Sequence, residues 1–224
     1  MKRCVIFDLD GTLCDTSGDL IAAANAAFAM RGHDIRLDPA ASEDRATALR
    51  GGRAMLRLGF SRVGEVDEAE VDAGYQPLLD AYERDICRHT VFYPGAVEAV
   101  RRLRARGDAV GICTNKPEGL AEQLMTALGA RDLFDSLVGA DRLAVRKPRP
   151  EHLVESVVEA GGDMAHTVLI GDTITDRRTA EAAGVPCILV TFAPAGPSVA
   201  DLAPEATLDD YADLDAVIDR VLAR

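Results

Sequence analysis

Cys4-Val5-Ile6-Phe7-Asp8-Leu9-Asp10-Gly11-Thr12-Leu13 is the stretch whose reading decides the fold. Its first four residues form an apolar run, bounded by Lys2-Arg3 before it and by charge after it. That is the pattern of a strand buried on both faces. Asp8 and Asp10 then stand two residues apart at its carboxyl end, with Gly11 next. Side chains alternate along a strand, so both carboxylates point the same way if the extended backbone persists. Two such charges repel, and the pair favours a cation between them or a proton on one. A surface turn accounts for Asp10-Gly11. It does not account for carboxylates that begin before the strand has ended.

Downstream of this run the character changes. Residues 15–89 hold no convincing strand. Leu20, Ala24, Ala27 and Phe28 have helical spacing with Gly32 as a stop, and residues 42–49 read as a second, short helix. Arg50-Gly51-Gly52-Arg53 interrupts it before apolar spacing resumes at 54–58. Asp67 and Glu70 have capping-box spacing ahead of Val71, Tyr75, Leu79, Tyr82 and Ile86. Gly74 and Pro77 predict that this last helix is kinked or split.

From Phe92 strands and helices alternate. Helices are predicted over 94–106, 117–128, 150–160, 175–183 and 214–222, with Pro94 suited to a first turn. Strands are predicted over 109–113, 134–138, 167–170 and 187–192, and 193–205 reads as a Pro- and Ala-rich connection. Alternation of this kind implies right-handed crossovers and a parallel sheet covered on both faces. The expected organisation is an α/β core over 1–14 and 90–224, with a small helical unit inserted at 15–89.

Composition narrows the function. The 224 residues carry a formal net charge of −12, which argues against nucleic acid or an anionic membrane as partner. An anionic substrate then needs a local basic pocket or a metal ion. No run approaches the roughly 18 apolar residues of a membrane span, and the N-terminus lacks a signal peptide's apolar region. The five cysteines are odd in number, widely spaced and without a CxxC, which suits reduced thiols in a cytoplasmic protein. His33, His89, His152 and His166 show no metal-binding spacing and read as surface or packing residues.

In open parallel sheets, ligands bind beyond the carboxyl ends of the strands. Three predicted strands end in polar residues of the right kind: Asp8 and Asp10, then Thr114-Asn115-Lys116, then Gly171-Asp172-Thr173 with Asp176 further on. Lys147 lies between the second and third, ahead of Pro148 and Pro150. Asp8, Asp172 and an oxygen of the Asp10 segment suit a hard divalent cation, and magnesium takes few carboxylates plus waters and phosphate. Thr114 and the amides of Asn115 and Lys116 precede a helix, where unsatisfied N–H groups accept an anion. Lys147 adds a cation for a phosphate oxygen. Taken singly, each is also a capping or surface residue; the joint order is what points to phosphoryl transfer.

DLDGTLCD, TNKP, KPRP and GDTITD resemble the four ordered motifs of the haloacid dehalogenase superfamily, and the chain is most similar to its phosphoglycolate phosphatase group. The resemblance covers essentially the whole chain. It implies a Rossmann-like, doubly wound parallel sheet and a magnesium-dependent phosphatase working through an aspartyl phosphate. It also implies that residues 15–89 are the superfamily's small helical cap. Asp8 matches the nucleophile. Asp10 matches the acid that protonates the leaving alcohol and then activates water, its backbone carbonyl also meeting the metal. Thr114 and Asn115 match the phosphate-binding motif, Lys147 the lysine that steadies nucleophile and phosphate, Asp172 the second metal carboxylate, and Asp176 an acid supporting that site. Arg177 stands where an apolar residue usually packs. Dehalogenases and phosphonatases of similar fold lack the aspartate at position 10, so phosphate ester hydrolysis or a phosphomutase is preferred.

Specificity is expected from the cap. Arg50 and Arg53 on a glycine-bearing loop suit a substrate carboxylate, as in 2-phosphoglycolate, or form a solvated basic turn. The competing functions are a sugar-phosphate phosphatase or phosphomutase with the same core, and a non-catalytic phosphate-ligand sensor. The expected partner is a small phosphorylated metabolite, and the expected state a monomer or homodimer.

Overall fold

The structure is a computed structural model and describes residues 3–223. The chain divides into two units, Met1–Cys14 with Phe92–Arg224, and Asp15–Val91. It passes between them at two short strands, β2 (Cys14–Asp15) and β3 (Val91–Phe92).

The first unit is built on a six-stranded parallel sheet. Its strands are β1 (Cys4–Phe7), β4 (Ala109–Cys113), β5 (Ser136–Val138), β6 (Thr167–Gly171), β7 (Cys187–Val190) and β8 (Ala206–Leu208). Their spatial order is β5-β4-β1-β6-β7-β8. Cys4 lies opposite Ala109 on one side and Thr167 on the other. β1 is therefore interior, and all four of its residues are fully buried, as its unbroken apolar run requires. The chain builds outward from β1 through β4 to β5, then returns to β1's other side for β6. That reversal opens a crevice at the carboxyl end of β1.

Helices α5 (Ala96–Ala105), α6 (Glu118–Ala127), α7 (Pro150–Glu159), α8 (Ile174–Ala183) and α9 (Leu214–Leu222) connect and cover these strands. Gly129 and Gly184 follow α6 and α8 with φ of +65° and +69°, the left-handed conformation that ends helices. The expectation that Pro94-Gly95 opens a helix is corrected. Gly95 has φ +79° and ψ −6°, and Ala96 N–H donates to Tyr93 C=O at 3.1 Å. That is a type II turn with Pro at its first central position, and α5 starts after it. Strand β8 lies just beyond the Pro- and Ala-rich segment and was not legible, because it is three residues long and only Leu208 is buried. A 3₁₀ helix over Gly196–Leu202 precedes it. Arg177 finds a polar setting: its Nε donates to Ala203 C=O at 3.2 Å and its Nη2 lies 3.5 Å from Glu205.

The second unit holds four helices, α1 (Ser17–Met30), α2 (Ser42–Ala48), α3 (Gly52–Ser61) and α4 (Glu68–Arg84). Its core is Leu20, Ala24, Phe28, Met55, Leu56, Val71, Leu78 and Tyr82. Phe28 meets Phe60 edge-on at 5.5 Å. A Cβ on Gly59 would lie 2.3 Å from the Phe28 ring, so α3 and α1 approach this closely only with glycine there. α4 is one continuous helix across Pro77, so the predicted split does not occur. Val71, Gly74, Leu78, Ala81 and Tyr82 are buried on both sides of the proline. Packing of that face on α1 and α3 offsets one missing hydrogen bond.

Candidate active site

Parallel pairing continues one residue beyond β1, since Asp8 N–H donates to Ile170 C=O at 2.8 Å. The chain then turns sharply. Leu9 C=O accepts from the N–H groups of Thr12, Leu13 and Cys14 at 3.3, 3.0 and 3.1 Å, and Gly11 takes φ +81° to allow it. The turn gives the two carboxylates different partners. Asp8 Oδ2 lies 3.0 Å from Lys147 Nζ, and its Oδ1 accepts from Leu9 N–H at 2.7 Å. Asp10 Oδ1 lies 3.1 Å from Lys116 Nζ.

Lys147 is buried and also donates to Asp176 Oδ1 at 2.7 Å. The other Asp176 oxygen accepts from Thr173 N–H, Thr173 Oγ1 and Asp172 N–H at 3.1, 2.7 and 3.3 Å. This closes a capping box on α8. A Cβ on Gly171 would lie 2.4 Å from Asp176 Cβ, so glycine is what lets the aspartate fold back. Asn115 Nδ2 donates to Lys147 C=O at 3.1 Å, holding the lysine's backbone.

Asp172 accepts from Thr12 Oγ1 at 3.2 Å, and Thr12 C=O accepts from the buried Tyr211 hydroxyl at 2.8 Å. Carboxylate oxygens of Asp8, Asp172 and Asp176 lie within 4.8 Å of one another. Burial pushes the Asp8 carboxyl up to about 7, with Asp176 and Asp10 adding to the rise and Lys147 opposing it. Burial likewise holds Asp172 well above the ordinary carboxylate range, reinforced by Asp176 and Asp8. Asp176 behaves oppositely: burial disfavours its charge, but Lys147 and Thr173 outweigh it and keep the group low. Burial also works against the Lys147 ammonium, yet Asp176 and Asp8 hold its pKa above the ordinary value. The cluster thus has two carboxyls whose ionised forms lack sufficient positive charge. Asp176 already accepts four hydrogen bonds. Asp8 and Asp172 are the oxygen donors that fit a small, hard divalent cation.

The Thr114-Asn115-Lys116 segment follows β4. Thr114 is buried and its Oγ1 accepts from Lys116 N–H at 3.1 Å, while Asn115 is exposed. The Lys116 side chain was not among the expected site groups; only its amide was. Tyr211 was missed as well. Sequence spacing offers no signal for either, because each meets its partner across more than a hundred residues.

The helical unit holds the two candidate arginines differently. Arg53 donates to Asp72 from Nη2 at 2.9 Å and from Nε at 3.2 Å, and stacks 4.0 Å above the Tyr75 ring. Arg50 is exposed on the turn between α2 and α3, and its guanidinium has no hydrogen bond or ion pair among the described residues. His152 is a core residue: its Nε2 bonds Gly139 C=O at 2.8 Å and its Nδ1 faces Cys113 Sγ at 3.4 Å. The five cysteines form no disulfide among the described residues, and no described helix is long and apolar enough to cross a membrane.

Comparison with known proteins finds relatives along nearly the whole chain. A phosphoglycolate phosphatase from Rhodospirillum rubrum is 37% identical over 96% of this chain and 90% of its own length. One from Agrobacterium fabrum is 35% identical over 93% of this chain and 89% of its own. A solved structure of a haloacid dehalogenase-like family protein from Streptococcus pneumoniae superposes with a TM-score of 0.80 at 18% identity, covering 96% of this chain and 97% of that one. The model of the haloacid dehalogenase-like hydrolase family matches residues 2–184. With its parallel sheet, inserted helical unit and paired aspartates, the chain belongs to the haloacid dehalogenase-like hydrolase family.

Proposed function

We propose that this protein is a magnesium-dependent phosphoric monoester hydrolase acting on a small metabolite, with 2-phosphoglycolate as the leading substrate. One observation carries the chemistry. Two carboxylates two residues apart are separated into unlike settings, Asp8 against Lys147 beside Asp172, and Asp10 against Lys116. That division suits a nucleophile and a proton carrier. The relatives named phosphoglycolate phosphatase support the substrate.

Asp8 Oδ attacks phosphorus, forming an O–P bond as the ester P–O bond breaks. Asp10 gives its proton to the departing alkoxide oxygen. Lys147 and the Thr114 segment hold the phosphoryl oxygens, with Asn115 fixing the lysine's backbone. In the second half Asp10 takes a proton from water, whose oxygen attacks phosphorus. The Asp8 O–P bond then breaks, inorganic phosphate leaves and Asp10 is protonated again. Asp8, the Asp10 carbonyl and Asp172 would hold magnesium. When bound, the ion supplies positive charge to the phosphoryl oxygens and to the two acids that burial leaves poorly compensated. Asp176 supports the site by holding Lys147. Arg50, exposed in the helical unit, is the guanidinium proposed for the substrate's carboxylate; Arg53 is engaged by Asp72 and Tyr75.

The test is a phosphate-release screen with magnesium over 2-phosphoglycolate, hexose phosphates, nucleotides and pyrophosphate. The expected result is hydrolysis of 2-phosphoglycolate ahead of esters without a carboxylate, abolished in Asp8→Asn. Preference for a hexose phosphate overturns the substrate. No magnesium-dependent release from any ester overturns the enzymatic reading in favour of a phosphate sensor.

A further inference from the structure

Lys116 stands out because it is a buried lysine beside the site, with a side chain that the sequence did not single out. Its side chain is only 3% exposed, and a buried ammonium is costly to desolvate. It directly precedes Pro117, the N-cap of α6, where the helix dipole disfavours positive charge. Yet the backbone is fixed on both sides: its N–H donates to Thr114 Oγ1 at 3.1 Å, and its C=O accepts from Ala140 N–H at 2.9 Å. The side chain then reaches Asp10 Oδ1 at 3.1 Å. Lys147, the other buried lysine, serves Asp8 and Asp176.

We infer that Lys116 is a positioning residue for Asp10: from its anchored backbone it holds one carboxyl oxygen, and so sets the direction in which Asp10 passes its proton to the leaving group. The inference rests on the proposed acid role of Asp10. It adds that this acid is aimed by a lysine, and that this lysine is distinct from the one on the nucleophile.

An uncharged side chain of similar length separates this role from phosphate binding and from folding. Lys116→Met is compared with wild type on two esters with magnesium: the alkyl phosphate that wild type turns over best, and p-nitrophenyl phosphate, whose phenolate departs without a proton. The expected result is a kcat loss of about 100-fold on the alkyl ester, within the range attributable to general acid catalysis. The nitrophenyl ester changes little, KM is unchanged for both, and the melting temperature is unchanged or raised because a buried ion has been removed. Lys116→Arg restores part of the alkyl-ester rate. Asp10→Asn shows the same leaving-group dependence, and adding Lys116→Met to it costs nothing further.

Equal losses on both esters make Lys116 a phosphate ligand or a folding residue and overturn the inference. So does an unchanged rate on the alkyl ester, or a double variant whose losses multiply. If Asp10→Asn itself falls equally on both esters, the acid role of Asp10 fails and the inference falls with it. If only Lys116→Met lacks the dependence, Asp10 stands and the positioning role alone is refuted.

Discussion

Asp8→Asn tests the electrostatics of the site without relying on turnover. Burial raises the Asp8 carboxyl from 3.8 to about 7 in the folded protein. Between those values the native state binds a proton that the unfolded chain has released. Stability of the metal-free protein therefore falls as pH rises through that window. A shift of this size corresponds to about 4 kcal/mol at most, because Asp8 titrates together with its neighbours. Between pH 5 and pH 8 it amounts to about 2.5 kcal/mol. Asparagine keeps the shape, has no proton to lose and leaves Lys147 bonded to Asp176 at 2.7 Å. The expected outcome, from urea unfolding in a chelator, is a stability difference of variant minus wild type that grows by up to about 2.5 kcal/mol from pH 5 to pH 8. Magnesium at about a hundred times its dissociation constant should then stabilise wild type by about 2.7 kcal/mol and the variant by less. A difference that is flat in pH refutes the burial cost. Equal stabilisation by magnesium refutes Asp8 as a ligand.

Three further outcomes follow from the packing. Gly171→Ala drives a methyl group to 2.4 Å from Asp176 Cβ, so Asp176 and the lysine it holds must shift; activity should fall by about 100-fold or more, as for misplaced catalytic groups, while the circular dichroism spectrum is retained. Tyr211→Phe removes the donor to Thr12 C=O, leaving a buried acceptor unsatisfied. It should cost about 1–3 kcal/mol in urea unfolding, and no measurable cost would show that the hydroxyl is dispensable. Asp19 is buried in the helical unit and accepts from His89 N–H, Thr90 N–H and Thr90 Oγ1 at 3.0, 2.9 and 2.7 Å. Asp19→Ala orphans these donors, so the 89–90 backbone should lose hydrogen-exchange protection; unchanged protection would refute that tether.

Much of this molecule was legible before any coordinate. β1, β4, β6 and β7 are apolar runs because strands buried on both faces must be. Gly32 takes positive φ beyond the helix whose stop it predicted, and Gly107, Gly129, Gly161 and Gly184 take it beyond α5, α6, α7 and α8. α9 runs over the residues its spacing indicated. These are local consequences of periodicity and backbone freedom. β8 was hidden because three residues with one buried side chain carry no period. α4 runs unbroken through Pro77 because tertiary burial outweighed a local preference.

The pair that opened the chain shows the same division. By itself the sequence determined that Asp8 and Asp10 end a buried strand, and that other polar groups gather at neighbouring strand ends. Both facts follow from short-range pattern and from where parallel strands must stop. The family resemblance had already set Lys147 beside Asp8, and the structure places them 3.0 Å apart. Only the tertiary structure decided that Asp10 meets Lys116 and that Tyr211 reaches Thr12 across 199 residues. Ion pairs and hydrogen bonds act over a few ångströms in space. Their partners are fixed by strand order and by the turn folded around Leu9 C=O, neither of which spacing along the chain encodes.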